Sequence, residues 1–420
     1  MAASPPPQPP TSLQDLHVDL LHNILERIPC GVDRGRMSMV CRAWRDAMRE
    51  QRRLLGLLLP RPPPLPRLLL PAPFSVRLFA CSARVACVLS ACRVHHHLAV
   101  VPARSRFFGS HDDRWIFVET RLPRSNKAIH LRSGFVRGFP RELQRRTDPH
   151  VVHRMVIHAA ALSSWPNDPN YIGAAIVTSW QHPPAVPPYH RCIALWRKGW
   201  PRAHDPVPLA HYDAALDAED LLYNSVGRCF FFLTQGEHIR ICTPVRLRDN
   251  ELRTDWETIR FCPSGRVYDQ YVRARYLVVS RGELLMVVRF TPQPNQPTSK
   301  FKVFRVAGRN TMVPDAYADA YPVALYPLEW SELHALDGRI LFVGHGCSRS
   351  YEARWYPPGF TEGIYFLDDG EFYDAAVIFG NGNERCYPCS DNGKWSGGRV
   401  QRCFPRGDPS NRSAPVWLLP

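Results

Sequence analysis

Lysine is almost missing from this chain: five lysines stand among the 53 basic residues of a 420-residue sequence, and the rest are arginine. Acids are scarce too, 38 in all, which leaves a formal net charge of +15. Such an excess raises the question of nucleic acid. No zinc-finger spacing, RNA-recognition signature or basic-zipper heptad accompanies it. The densest block, residues 34–84 with eleven arginines against Asp46 and Glu50, therefore reads as solvated surface charge, and nucleic acid is not the expected partner. Long apolar runs are missing as well. The richest stretch, RRLLGLLLPRPPPLPRLLLPAPF, is cut by arginine and proline, so no membrane span is expected. The opening MAASPPPQPP lacks the apolar segment of a secretory signal. A cytoplasmic or nuclear setting is the expectation, with the thirteen cysteines free and mostly buried rather than bridged. There is no glycine-rich phosphate loop, no Walker lysine and no His-Glu-x-x-His, and no cofactor is expected.

What is present is proline, 41 residues, with 25 glycines. Prolines this dense oppose long helices and suit short strands joined by turns. Residues 1–11, with five prolines, are expected to be disordered. Residues 12–53 read as helical. Residues 54–73, with seven prolines between 60 and 73, read as a stiff connector. From 74 to 420, short apolar runs alternate with Gly, Pro, Asn and Asp, the texture of an all-β domain. Four hairpin turns are expected there, at Gln235-Gly236, Arg281-Gly282, Asp337-Gly338 and Asp369-Gly370. Their glycines lie 46, 56 and 32 residues apart, against about 40–50 residues for a four-stranded propeller blade. No Trp-Asp or kelch repeat marks the period, and paired sandwiches also fit the pattern. About six to seven blades would use the length, and radial repetition protects strand edges.

The helical module carries the sharpest pattern. Leu16, Leu20, Ile24 and Ile28 recur every four residues with Leu21 and Leu25 beside them, giving a helix that ends before Pro29-Cys30-Gly31. Val40, Trp44 and Met48 repeat the spacing on a later helix, Cys41 widens that face, and Asp33 is placed to cap the helix between. Forty residues make a poor independent core. Some of these side chains are therefore available either to a partner or to the β-domain, and the pattern alone does not choose.

The order Leu16, Leu20, Leu21, Ile24, Leu25, Ile28, then Asp33, then Val40-Cys41-Arg42-x-Trp44-Arg45 resembles an F-box. That family usually has proline after the first leucine, where this chain has His17; the change is expected to weaken the opening turn. Further on, the segments DLLYNSVGRCFFFLT, YLVVSRGELLMVVRF, KFKVFRV, LDGRILFVGHGCSRSYEA, GIYFLDD and APVWLLP follow one another as in plant F-box proteins with a KIB-type β-propeller. The likeness is weaker over 81–146, where HHHLAVV replaces the family's usual Gly-Trp-Leu strand. The resemblance implies a three-helix F-box followed by an all-β propeller. It also implies a non-catalytic substrate receptor of a Skp-cullin-F-box ubiquitin ligase. The adaptor would be met by Leu16, Leu20, Leu21, Ile24, Leu25, Ile28, Val40, Cys41 and Trp44, and the propeller would bind a target protein. The alternative is a propeller scaffold not engaged with a cullin ligase.

Other chemistry was weighed on the residues themselves. In VGHGCSRSYEARWYPPGFTEGIYFLDD (343–369), Cys347 stands two residues from His345. No third member and no nucleophile elbow accompany them, so a buried cysteine at a hydroxyl-rich strand end is expected instead. Cys386 and Cys389 have metal spacing, yet Cys403 is the only nearby third thiol, and zinc takes four ligands. His95, His96 and His97 would alternate faces along a strand. Asn411-Arg412-Ser413 fits a glycosylation sequon, which matters only in a secreted protein.

Overall fold

Arg281-Gly282 shows how the chain is punctuated. Both residues have positive φ, +52° and +80°, the pair that a two-residue type I′ turn requires. The turn joins strands Tyr271–Ser280 and Glu283–Thr291, whose register closes on Ser280 opposite Glu283. The computed structural model describes residues 16–28, 31–58, 65–71, 83–87, 96–97, 101–102, 105–121, 124–145, 148–180, 191–205, 217–246, 252–263, 268–294, 296–309, 320–356, 361–369, 387–404, 407–410 and 413–420. Residues 1–11 and Gly370 lie outside them.

Three helices come first: α1 (Val18–Arg27), α2 (Gly31–Met37) and α3 (Arg42–Leu58). Asp33 sits inside the first turn of α2 rather than ahead of it, 3.6 Å from Arg36. Val40 lies in the turn before α3, not on the helix with Trp44 and Met48. The connector expected over 54–73 is largely occupied by other structure. Helix α3 runs on to Leu58, and Arg67–Pro71 is a strand with a buried face. Its apolar run, Leu68-Leu69-Leu70, supplies the burial that flanking prolines concealed.

The β-domain is a ring of sheets. Blade one pairs Arg67–Pro71 with Ala83–Cys87 and, on its other side, with the C-terminal strand Val416–Leu418; His96–His97 adds a short edge. Blade two is Arg106–His111, Trp115–Arg121, Arg124–His130 and Val136–Phe139. Blade three is Ala218–Asn224, Cys229–Thr234, Ile239–Arg246 and Leu252–Ile259. Blade four is Tyr271–Ser280, Glu283–Thr291, Lys300–Gly308, Leu328–Glu332 and Phe261–Cys262. Blade five is Arg349–Glu352, Arg339–Val343, Gly363–Phe366, Gly393–Ser396 and Arg399–Gln401. Five blades, not six to seven, are therefore present among the described residues. Between blades two and three the chain closes on itself instead. Strand Arg202–Asp205 pairs in parallel with Glu142–Arg145, sealing a five-stranded barrel with Asp148–Leu162, Ile172–Trp180 and Arg191–Arg197.

Apolar cores lie between successive sheets. One joins blades one, two and five; the next joins blade two to the barrel, and another the barrel to blade three. Blades three and four share a core, as do four and five. Gly173 shows how tightly the barrel packs: it faces Trp196 across the sheet, and a Cβ there would fall 2.2 Å from the indole. Asp337-Gly338 is a true turn, with φ of +50° and +77° and Arg339 N–H donating to the Leu336 carbonyl. It is not a hairpin, because the strands it joins belong to blades four and five. At Gln235-Gly236 the hairpin forms, with the positive φ on Glu237.

Candidate functional site

The helical module has its own small core. Leu21 and Leu25 of α1 pack against Trp44, Ala47 and Met48 of α3, all buried, with Leu16, Ile24, Met37, Cys41 and Ala43 half-buried around them. Ile28 is half-buried and caps α1, its N–H donating to the Leu25 carbonyl. Of the nine residues expected to meet an adaptor, Leu20 and Val40 are openly exposed, at 50% and 59%. Val18 and Met39 are exposed apolar neighbours in sequence that the spacing argument passed over. Leu21, Leu25 and Trp44 are spent inside the module. The four-residue repeat marks a helix face, but it does not say which residues of a broad face turn inward.

His17 begins α1 in place of the usual proline. Its φ of −60° is a proline-like value, its carbonyl accepts from Leu20 and Leu21 N–H, and its ring accepts from Asp19 N–H at 3.4 Å. The opening turn is therefore formed by other means.

The most elaborate polar constellation lies at the centre of the β-domain, where blades three, four and five meet. Asp220 is fully buried and accepts three backbone N–H groups, from Leu221 at 2.8 Å, Leu277 at 2.7 Å and Gly346 at 2.8 Å. One carboxylate thus ties three blades together. Burial pushes its pKa up to about 8 against the pull of those donors. Gly346 can make its contact because it has φ of +70° and its Cα lies close to the Ala160 carbonyl, which a Cβ would approach to 3.1 Å. His345 stacks beside Tyr276, ring centres 4.9 Å apart, with Nδ1 4.0 Å from Asp220. Burial lowers its pKa to about 4, so it is neutral at pH 7.

Arg289 anchors the other half. It is wholly buried and donates to Asp369 at 2.9 Å, Asp391 at 2.7 Å, Thr298 at 2.7 Å, Tyr276 at 3.2 Å and the Leu367 carbonyl at 2.6 Å. Arg402 makes a second ion pair with Asp391. Burial works against ionising Asp391, but Arg289, Thr298 and Arg402 outweigh it and hold the carboxyl below its usual range. Asp368 accepts from Ser390 and Asp391 N–H at 3.0 and 2.8 Å. This is architecture: Arg289 is closed to solvent and donates on every side, and its two aspartates are almost fully buried. The sequence signal for it was faint: a single arginine inside LLMVVRFT, an acid pair within the strand Ala218–Asn224 and another just after Gly363–Phe366.

Cys347 belongs to the same interior. It is buried, and burial, followed by the charges of Asp220 and Asp369, pushes its pKa to about 12. A thiol held protonated at neutral pH beside a neutral imidazole does not make an activated nucleophile. Ser348 donates to and accepts from the Gly344 backbone, the strand-end role expected of it. Cys87, Cys229, Cys242, Cys262, Cys347 and Cys389 are all buried. Cys386, His95, Phe360 and Asn411 lie outside the described residues. No group of three or more His, Cys, Asp or Glu suited to a metal occurs among those described, and no described helix is long and apolar enough to cross a membrane.

Two family models match the chain. The F-box domain covers residues 13–55, and the KIB1-4 beta-propeller covers residues 87–388. Neither describes an enzymatic domain. No curated protein matches the chain. The helical module coincides with the first match and most of the ring of blades with the second, and the chain belongs to the KIB1-4 β-propeller family with an F-box domain at its N-terminal side.

Proposed function

We propose that this protein is a non-catalytic substrate receptor of a Skp-cullin-F-box ubiquitin ligase, working in the cytoplasm or nucleus. The F-box helices dock a Skp-type adaptor, and through it a cullin. The propeller holds a target protein beside the ubiquitin-charged enzyme, so that proximity does the work. The observation that carries this reading is the split within the F-box. Its core is complete from its own residues, yet Val18, Leu20, Met39 and Val40 remain uncovered. An apolar surface left over after a module has satisfied its own fold is what a helical partner can use.

The test is co-purification with a Skp-type adaptor. Leu20→Asp with Val40→Asp places charge on the uncovered residues, and adaptor binding should fall at least tenfold, on the order of 1.4 kcal/mol or more. Both sites are exposed, so the melting curve should stay in place. Trp44→Ala is the poorer probe, because Trp44 is buried and its loss would damage the helices themselves. An adaptor that ignores the wild-type protein would leave the scaffold reading, a propeller not engaged with a cullin ligase.

A further inference from the structure

Several arginines of the β-domain are neutralised by carboxylates. Arg106 and Arg124 share Glu119, Arg275 bridges Glu219 and Glu237, Arg289 meets two aspartates, and Arg281 clasps Glu352. A cluster of three cations elsewhere is not. Where the last strand of blade two runs into the barrel, a pocket of about 530 Å³ is lined by Arg137, Arg141, Lys198, Tyr171, Trp200 and Glu142, among others. None of the three cations there pairs with a carboxylate among the described residues. The single acid, Glu142, is directed to Arg202 at 3.5 Å.

These cations are nevertheless held in position. Arg137 lies over the Phe135 ring, 4.2 Å from its centre. Arg141 donates to the Arg124 carbonyl at 2.5 Å, and Lys198 donates to the Asn167 carbonyl at 3.0 Å. Neutral acceptors and a ring fix the side chains without cancelling their charge. The pocket wall is equally fixed. Lys198 N–H reaches the Tyr171 carbonyl, Trp200 N–H donates to the Arg197 carbonyl, and the Trp200 ring meets His204 edge-on at 5.0 Å. Tyr171, buried against Phe139 in the core shared with Trp196, backs the wall. A preorganised set of cations with unspent donors, walled by a half-buried tryptophan, suits an anionic side chain with an apolar neighbour.

We propose that this pocket is where the propeller takes its target, by binding an acidic or phosphorylated side chain of a protein segment whose flanking residue packs on Trp200. The inference rests on the receptor reading for the identity of the occupant as protein. A carboxylate and a phosphoryl group share the required chemistry, and the experiment separates them.

The purified full-length protein is tested on arrays of peptides with degenerate flanks and a central phosphoserine, glutamate or serine. Retention of the phosphoserine or glutamate set at about tenfold or more over the serine set is expected, since charge-assisted hydrogen bonds are the strong ones. Whichever anionic set is retained names the chemistry. Arg137→Gln with Lys198→Gln should erase the preference, while Arg399→Gln, an exposed charge on blade five, should leave it. Equal binding of the serine set would overturn the proposal. So would an undiminished preference in the double variant, or a 20-nucleotide single strand that displaces the peptide and binds more tightly than it. Adaptor co-purification is read separately on the same proteins. A pocket that selects anions in a protein that never binds the adaptor would sink the ligase reading alone, and the reverse result would sink only this one.

Discussion

The helical module hides Leu21, Leu25, Trp44, Ala47 and Met48 and leaves Leu20 and Val40 bare, while blade four alone buries Tyr276, Leu277, Val278, Leu285, Met286, Val287, Val288 and Phe290. Inside the β-domain even an arginine is wholly buried, and two carboxylates answer it. Among the described F-box residues no carboxylate or guanidinium is buried. A core of five side chains cannot support a desolvated ion, whereas a ring of mutually packed blades can. Each region therefore fails in its own way: the propeller when its internal charges lose their partners, the F-box when its uncovered face loses its apolar character.

The largest break should come from the propeller. Arg289→Met removes the cation that both Asp369 and Asp391 face, leaving uncompensated charge in the interior. A loss of about 3–5 kcal/mol is expected in urea or thermal unfolding, with adaptor binding through the helices untouched. A variant that melts like the wild type would show that the interior admits water and that the contrast with the F-box is false.

The second test is electrostatic. His345 falls from 6.5 to about 4 and Asp220 rises from 3.8 to about 8. Between pH 4 and 6.5 the unfolded chain carries its proton on His345 and the folded chain carries it on Asp220. The proton counts match, so the pair together adds no slope. In His345→Gln only Asp220 remains, and the folded state then binds the extra proton. Stability of that variant should fall as pH rises from about 4 to 6.5, by up to roughly 1.4 kcal/mol per unit relative to wild type. Parallel curves over that range would show that burial does not hold His345 neutral.

The smallest effect belongs to the helices. His17 already has φ of −60°, so His17→Pro should fit and should stabilise the helices against unfolding by about 0.4–1 kcal/mol, chiefly by restricting the unfolded chain. Lower helical stability would mean that the ring-to-Asp19 hydrogen bond matters more than chain stiffness.

Much of the architecture was legible where the signal was local. The end of α1 before Pro29 and the Arg281-Gly282 turn follow from a few adjacent residues. The unread parts were set by residues far apart in sequence. Arg67–Pro71 sits among prolines and becomes a strand because Val416–Leu418 arrives beside it. The barrel closes through the parallel pairing of Arg202–Asp205 with Glu142–Arg145, which no hairpin signal announces. Asp337-Gly338 has the chemistry of a hairpin turn and serves as a corner between blades, since turn chemistry fixes φ and not which strands pair. In the candidate sites, periodicity located the F-box face without separating buried Trp44 from exposed Val40. The cations at 137, 141 and 198 are separated along the chain and meet only in the folded barrel wall.

The C-terminal segment has a further consequence. Trp417 donates its indole N–H to the Val343 carbonyl, and its own carbonyl accepts from Ser110, 307 residues upstream. During synthesis the helices need only their neighbours and can form early, but the wheel stays an open arc until its final rivet emerges. Any chain halted before that point would carry Arg67–Pro71 with a naked hydrogen-bonding edge, ready to zip onto a strand of another copy. Closure of the ring therefore waits on residues 416–418, which follow every other described strand in the chain.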